Sequence, residues 1–171
     1  HPIEPYDAGY APTVVAHRGR FLLTACQAPI FAADSPLGPF QKLGPLLNSN
    51  GDPVPGNWAD PMLFSDDDGR LYAYWGIAEP GIFAAEIDPV SCTRLLTEPR
   101  VVMSYDADHV WERYGEYNED ASRSYIEGPW LVKCGGIYYL TYTGPGTEWR
   151  TYGMGAYRSD QPLGPFTYQQ R

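Results

Sequence analysis

Three stretches of the chain share one plan: "YAPTVVAHRGRFLLTA" (10–25), "ADPMLFSDDDGRLYAYW" (59–75) and "EGPWLVKCGGIYYLTY" (127–142). Each runs from a proline through a few strand-forming residues to a glycine-containing turn, then into a second apolar or aromatic strand. This pattern predicts a β-hairpin in each, with turns at Gly19, Asp68-Gly69 and Gly135-Gly136. A second element follows the hairpin. "ADSPLGPF" (33–40) returns as "RSDQPLGPF" (158–166), and "FAAEIDP" (83–89) takes its place in the middle unit. Pro12, Pro61 and Pro129 mark the units, so the intervals are 49 and 68 residues. Units of this length with about four strands each are propeller blades. The polar segment 104–124, "SYDADHVWERYGEYNEDASRS", accounts for the longer interval as an insertion.

The chain therefore reads as all-β, with blade-like units at about 6–45, 55–103 and 124–171. A β-sandwich is the alternative, but it does not call for the same Pro-Leu-Gly-Pro-Phe at the same point of two units. Propellers close with about 4–8 blades, and three leave open sheet edges. The expectation is one incomplete domain, a partial propeller belonging to a larger ring.

Composition agrees and narrows the partners. Hydrophobic residues make up 43% of the 171, and 18 glycines and 17 prolines are spread along the chain, which suits short strands and turns. A net charge of −9 argues against nucleic acid or an anionic membrane surface and is compatible with a neutral sugar. No stretch approaches the ~20 apolar residues of a membrane span. No signal peptide is seen, although the chain starts at His1 and a secreted or periplasmic location fits.

Metals and cofactors are not expected. Cys26, Cys92 and Cys134 are scattered, and they read as small buried hydrophobes rather than a disulfide framework or zinc site. "SDDDGR" (65–70) lacks the alternating ligands of a calcium loop, and position twelve counted from Asp66 is Ile77, so it reads as a hairpin turn. His17 and His109 are read as lacking an acid or second histidine at ligand spacing, and His1 is terminal.

The innermost strands of a propeller line its central channel. Asp60, just before Pro61, and Glu127, two before Pro129, stand at nearly equivalent places in two units. Facing one pocket, a charged Asp60 would raise the pKa of Glu127 and keep it protonated as a general acid. Trp58 and Trp130 beside them could stack on a sugar ring. The plainer readings of the same residues are a turn acid, a surface acid and two core tryptophans.

"DPMLFSDDDGRLYAYWG" (60–76), "EIDP" (86–89), "ERYGEYNED" (112–120), "IEGPWLVKCGGIYYLTYTGPGTEW" (126–149) and "YRSDQPLGPF" (157–166) closely resemble glycoside hydrolase family 43, the family of β-xylosidases, α-L-arabinofuranosidases and arabinanases. The resemblance implies a five-bladed β-propeller, of which this chain matches the central three blades, and cleavage with inversion. It implies Glu127 as proton donor and Asp60 as the acid that tunes and orients it. The third acid, the general base, would lie in a blade upstream of His1, with Asp7 the only nearby substitute. Without that blade the chain alone is expected to be inactive or nearly so. Glu116 and Asn118 fall in the resembling part of the insertion and become candidate channel residues, with a solvated loop as the alternative. Tyr125, Trp149 and Arg150 are candidate rim contacts. A non-catalytic carbohydrate-binding fragment remains the alternative function.

Overall fold

The computed structural model describes residues 9–169; Asp7 and His1 lie outside the described residues. Among the described residues, twelve strands form three four-stranded antiparallel sheets, each in plain chain order. The first holds β1 (Thr13–His17), β2 (Arg20–Thr24), β3 (Ile30–Ala33) and β4 (Gln41–Gly44). The second holds β5 (Met62–Ser65), β6 (Leu71–Trp75), β7 (Ile82–Ile87) and β8 (Arg100–Met103). The third holds β9 (Glu127–Cys134), β10 (Ile137–Gly144), β11 (Gly153–Ser159) and β12 (Thr167–Tyr168). β1 packs on β5, and β5 and β6 pack on β9, so the sheets follow one another as blades of a partial propeller. No helix among the described residues is long and apolar enough to cross a membrane.

The turns explain the hairpins. His17 pairs with Arg20 and Cys134 with Ile137, leaving two-residue loops. Arg18-Gly19 (φ 48 and 77) and Gly135-Gly136 (φ 58 and 81) supply the two positive φ angles that such a loop needs to match strand twist. The repeated Pro-Leu-Gly-Pro-Phe makes the same turn twice, joining β3 to β4 and β11 to β12, with cis Gly38-Pro39 and Gly164-Pro165. The structure also aligns Ile30-Phe31-Ala32-Ala33 with Ile82-Phe83-Ala84-Ala85 at the start of β3 and β7. "FAAEIDP" therefore corresponds chiefly to a third strand, not to the turn.

Two interfaces make the core. Leu22, Ile30, Leu63, Leu71, Trp75 and Ile87 pack between the first and second sheets. Met62, Tyr72, Tyr74, Ile82, Leu131, Leu140 and Tyr142 pack between the second and third. Side chains alternate across a sheet, so β6, covered on both sides, is buried at all five positions. β10 alternates between buried and half-buried, because only one face of the third sheet is covered.

Polar ties complete both interfaces. His17 is buried, with Nδ1 2.8 Å from Ser65 Oγ and Nε2 3.1 Å from the Pro89 carbonyl. Asp66 anchors the third sheet to the second: it accepts Lys133 Nζ at 2.6 Å and the Tyr138 hydroxyl at 2.5 Å. Burial alone would raise the Asp66 pKa, but those two bonds and the Asp67 N–H outweigh it and hold the carboxyl below its ordinary range.

The insertion is not a solvated loop. It makes a 3₁₀ turn at Val110–Glu112 and plants the fully buried Glu112 carboxylate against the third sheet. Glu112 accepts the Tyr142 hydroxyl, His109 Nδ1 at 2.7 Å and the Asp106 N–H at 3.1 Å. His109 thus does have acid partners three residues to either side, Glu112 and, at 3.9 Å, Asp106. The reading of His109 as lacking an acid at such spacing is corrected accordingly. Nothing local marks Glu112 as buried, because a charge in a polar run ordinarily faces water.

Candidate active site

Asp60 sits immediately before β5 in the left-handed region (φ 44), which only a few per cent of non-glycine residues occupy. Its N–H is 3.0 Å from Cys26 Sγ, and its Oδ1 accepts the Cys26 thiol at 3.1 Å. The Ala59 carbonyl before it accepts the Gly76 N–H at 2.8 Å, tying this corner to the end of β6. Glu127 opens β9 opposite Thr143, at a register shift in the β9–β10 ladder. Its side chain is half-buried and accepts the Tyr152 hydroxyl at 3.0 Å. Tyr152 is also 2.7 Å from Thr143 Oγ1. A phenol has one proton, so Tyr152 can donate to only one of the two at a time.

The Glu127 carboxyl is pushed above its ordinary value. Burial is the largest cause, and the charges of Asp60 and Glu148 add to it, while the Tyr152 hydrogen bond opposes them. The acids at the starts of β5 and β9 are therefore close enough to feel one another, although 67 residues separate them in sequence. Glu148 is held low by the hydroxyl of Tyr114, 2.6 Å away.

Glu127 opens onto a cleft of about 210 Å³ lined by Tyr114, Tyr125, Gly146, Thr147 and Glu148. The Tyr114 ring lies 5.6 Å from Tyr125 and edge-on to Trp149 at 5.3 Å, with the Arg123 guanidinium 4.2 Å above it. The insertion thus delivers an aromatic side chain to the mouth of the acid's cleft.

Of the residues singled out from sequence, Glu127 and Tyr125 line one cleft, and the Asp60 charge reaches Glu127 from the start of β5. Trp58 is placed in the core, 7% exposed and 5.5 Å from Trp75, as the core-packing reading has it. Trp130 is exposed, while its neighbours Pro129 and Leu131 are buried toward the second sheet. Asn118 staples the insertion through the Trp111 and Arg113 carbonyls, at 3.0 and 2.8 Å. Glu116 pairs with the exposed Arg150 at 3.4 Å. Neither Glu116 nor Asn118 lines the cleft of Glu127. Tyr152, Tyr114, Glu148 and Cys26 were not anticipated: each reaches the site from another strand or loop, with no local spacing to mark it. No group of three or more His, Cys, Asp or Glu that could hold a metal ion occurs among the described residues. A carboxyl whose pKa is raised beside a second carboxylate is suited to donating a proton to a leaving oxygen.

The sequence matches the family model of glycosyl hydrolases family 43 over residues 2–171. A β-D-galactofuranosidase of Aspergillus niger is 34% identical over 135 residues, covering 77% of this chain and 33% of its own length. A β-xylosidase of Xylanibacter ruminicola is 28% identical over 169 residues, covering 82% of this chain and 47% of its own length. The chain thus spans less than half the length of these relatives. Among solved structures, a thermostable family-43 glycoside hydrolase superposes with a TM-score of 0.71 at 23% identity, covering 93% of this chain and 53% of that one. At that identity the likeness establishes the shared fold.

Proposed function

Because the chain belongs to glycosyl hydrolase family 43, we propose that it carries the acid half of a glycosidase site that cleaves xylose- or arabinose-containing saccharides with inversion. The observation that carries this reading is the half-buried Glu127 carboxyl, held above its ordinary pKa by burial and by the Asp60 charge. Glu127 gives its proton to the glycosidic oxygen as the bond to the anomeric carbon breaks. Asp60 keeps that proton in place until substrate arrives, and Tyr152 aims the carboxyl. Tyr125 and Tyr114 present ring faces to the sugar at the cleft.

Inversion also requires a base about 6.5–9.5 Å from the acid, with a water between them. We place that base, and the remaining blades, outside residues 1–171. Glu148 already accepts the Tyr114 hydroxyl and is assigned to substrate contact. Loss of a general base costs on the order of 10²–10⁴-fold, so the 171-residue chain alone should release little or no product from aryl β-xylosides or aryl α-L-arabinofuranosides. Turnover should appear when the preceding and following polypeptide is supplied, and should vanish again in Glu127→Gln. Robust turnover by the 171 residues alone would contradict the missing base and turn attention to Asp7 and Glu148. Turnover that survives Glu127→Gln would contradict the assignment of the acid.

A further inference from the structure

The β2–β3 turn and the segment leading into β5 lock together around one thiol. Cys26 follows β2, and its N–H bonds the Tyr10 carbonyl at 2.8 Å, while the next N–H, of Gln27, bonds the Trp58 carbonyl at 3.1 Å. Gly9 approaches so closely that a Cβ there would lie 1.7 Å from the Cys26 carbonyl oxygen, so only glycine fits. Gln27, Trp58 and Asp60 all take left-handed backbone, with φ of 55, 48 and 44. Such conformations cost free energy and persist where the surroundings over-determine them. The Cys26 backbone is therefore fixed from two sides, and its sulfur is what reaches Asp60. It accepts the Asp60 N–H and donates to Asp60 Oδ1, gripping backbone and carboxylate together.

We propose that Cys26 is a positioning residue of the glycosidase site, whose thiol fixes the Asp60 carboxylate in the orientation from which its charge acts on Glu127. The inference rests on the reading of Asp60 and Glu127 as the acid pair. The thiol suits the task because burial and Asp60 push it up to about 11, so near neutral pH it remains a donor and adds no second anion beside Asp60. Alanine at this position would leave the carboxylate free to swing toward water, whereas serine would keep a donor and an acceptor there.

The test is a ¹³C NMR titration of glutamate carboxyls in the full-length protein that carries these residues, with the Glu127 signal assigned by its loss in Glu127→Gln. Cys26→Ala should lower the Glu127 midpoint toward that of an ordinary glutamate, and Cys26→Ser should stay near the wild type. Alkylation by iodoacetamide, in which the thiolate carbon–sulfur bond forms and iodide leaves, reads the same contact without any substitution at Cys26. Thiolate fraction at fixed pH falls tenfold per pKa unit, and the greater nucleophilicity of the more basic thiolate returns nearly half of that. Cys26 should therefore react on the order of 10-fold more slowly than a thiol of ordinary pKa. Asp60→Asn should speed Cys26 several-fold and leave the exposed Cys134 unchanged. A raised wild-type midpoint that Cys26→Ala does not move overturns the inference alone, as does an alkylation rate indifferent to Asp60→Asn. An ordinary midpoint in the wild type overturns the acid-pair reading and the inference with it.

Discussion

Asp60 and Glu127 stand at the starts of neighbouring innermost strands, yet the chain holds them in opposite ways. Asp60 is clamped: its backbone is left-handed, its N–H and carboxylate both meet Cys26, and the preceding carbonyl is tied to Gly76. Glu127 opens an eight-residue strand with its side chain held by one phenol, facing a cleft. The contrast suits a division of labour. A charge that acts through space must stay in place, whereas a carboxyl that hands its proton to a substrate must be reachable.

The strongest way to break this contrast is Glu127→Gln. Hydrolysis in the full-length enzyme should fall about 10²–10⁴-fold, the usual worth of a general acid, measured as kcat/KM on an aryl xyloside. Stability should move the other way. A carboxyl whose folded pKa is raised contributes stability below its unfolded pKa and loses it as pH rises through the folded value. The glutamine variant should thus gain on the wild type between acid and alkaline urea titrations. Next in size is Asp60→Asn, which removes the clamped charge: the alkaline limb of the pH–rate profile should shift to lower pH. Tyr152→Phe should shift that limb the opposite way, because the Tyr152 hydrogen bond opposes the rise of Glu127. Its stability loss should be about 1 kcal/mol, one hydrogen bond. Shifts in the same direction for both variants would erase the contrast.

The smallest effect separates the two interfaces behind these strands. Burial depresses His17, so its contribution to stability is present above about pH 6.5, the unfolded value, and is lost as pH falls through the lower folded value. Asp66 is also depressed, so its contribution is present above about pH 3.9, the unfolded value, and is lost as pH falls through the lower folded value. On acidification the β1–β5 side should loosen before the β6–β9 side. Hydrogen exchange at pH 5 should show earlier loss of protection in β1 than in β9.

Much of the fold was legible because its signals are local. A two-residue loop that needs two positive φ angles selects glycine, as at Arg18-Gly19 and Gly135-Gly136, and the repeated Pro-Leu-Gly-Pro-Phe builds one turn twice. The Ile-Phe-Ala-Ala repeat is in register only when the units are superposed on their third strands, since the spacing from Pro12 to Ile30 and from Pro61 to Ile82 differs. The two acids were marked by their equivalent places before a proline. What fixes them was not: Cys26 comes from another sheet, and Tyr152 is one of 14 tyrosines with nothing in its spacing to single it out. Trp58 shows the converse limit. It lies two residues from Asp60, but positive φ at Asn57, Trp58 and Asp60 folds this corner so that the indole packs against Trp75. Glu112 was illegible for a third reason, since its burial depends on Tyr142, 30 residues away.

The most direct measurement is the Glu127 titration by ¹³C NMR in the wild type and in Asp60→Asn, without any substrate. A midpoint above the ordinary glutamate value that falls when Asp60 loses its charge is what a tuned proton donor requires. A midpoint at the ordinary value, unmoved by Asp60→Asn, would contradict the pairing of the two acids.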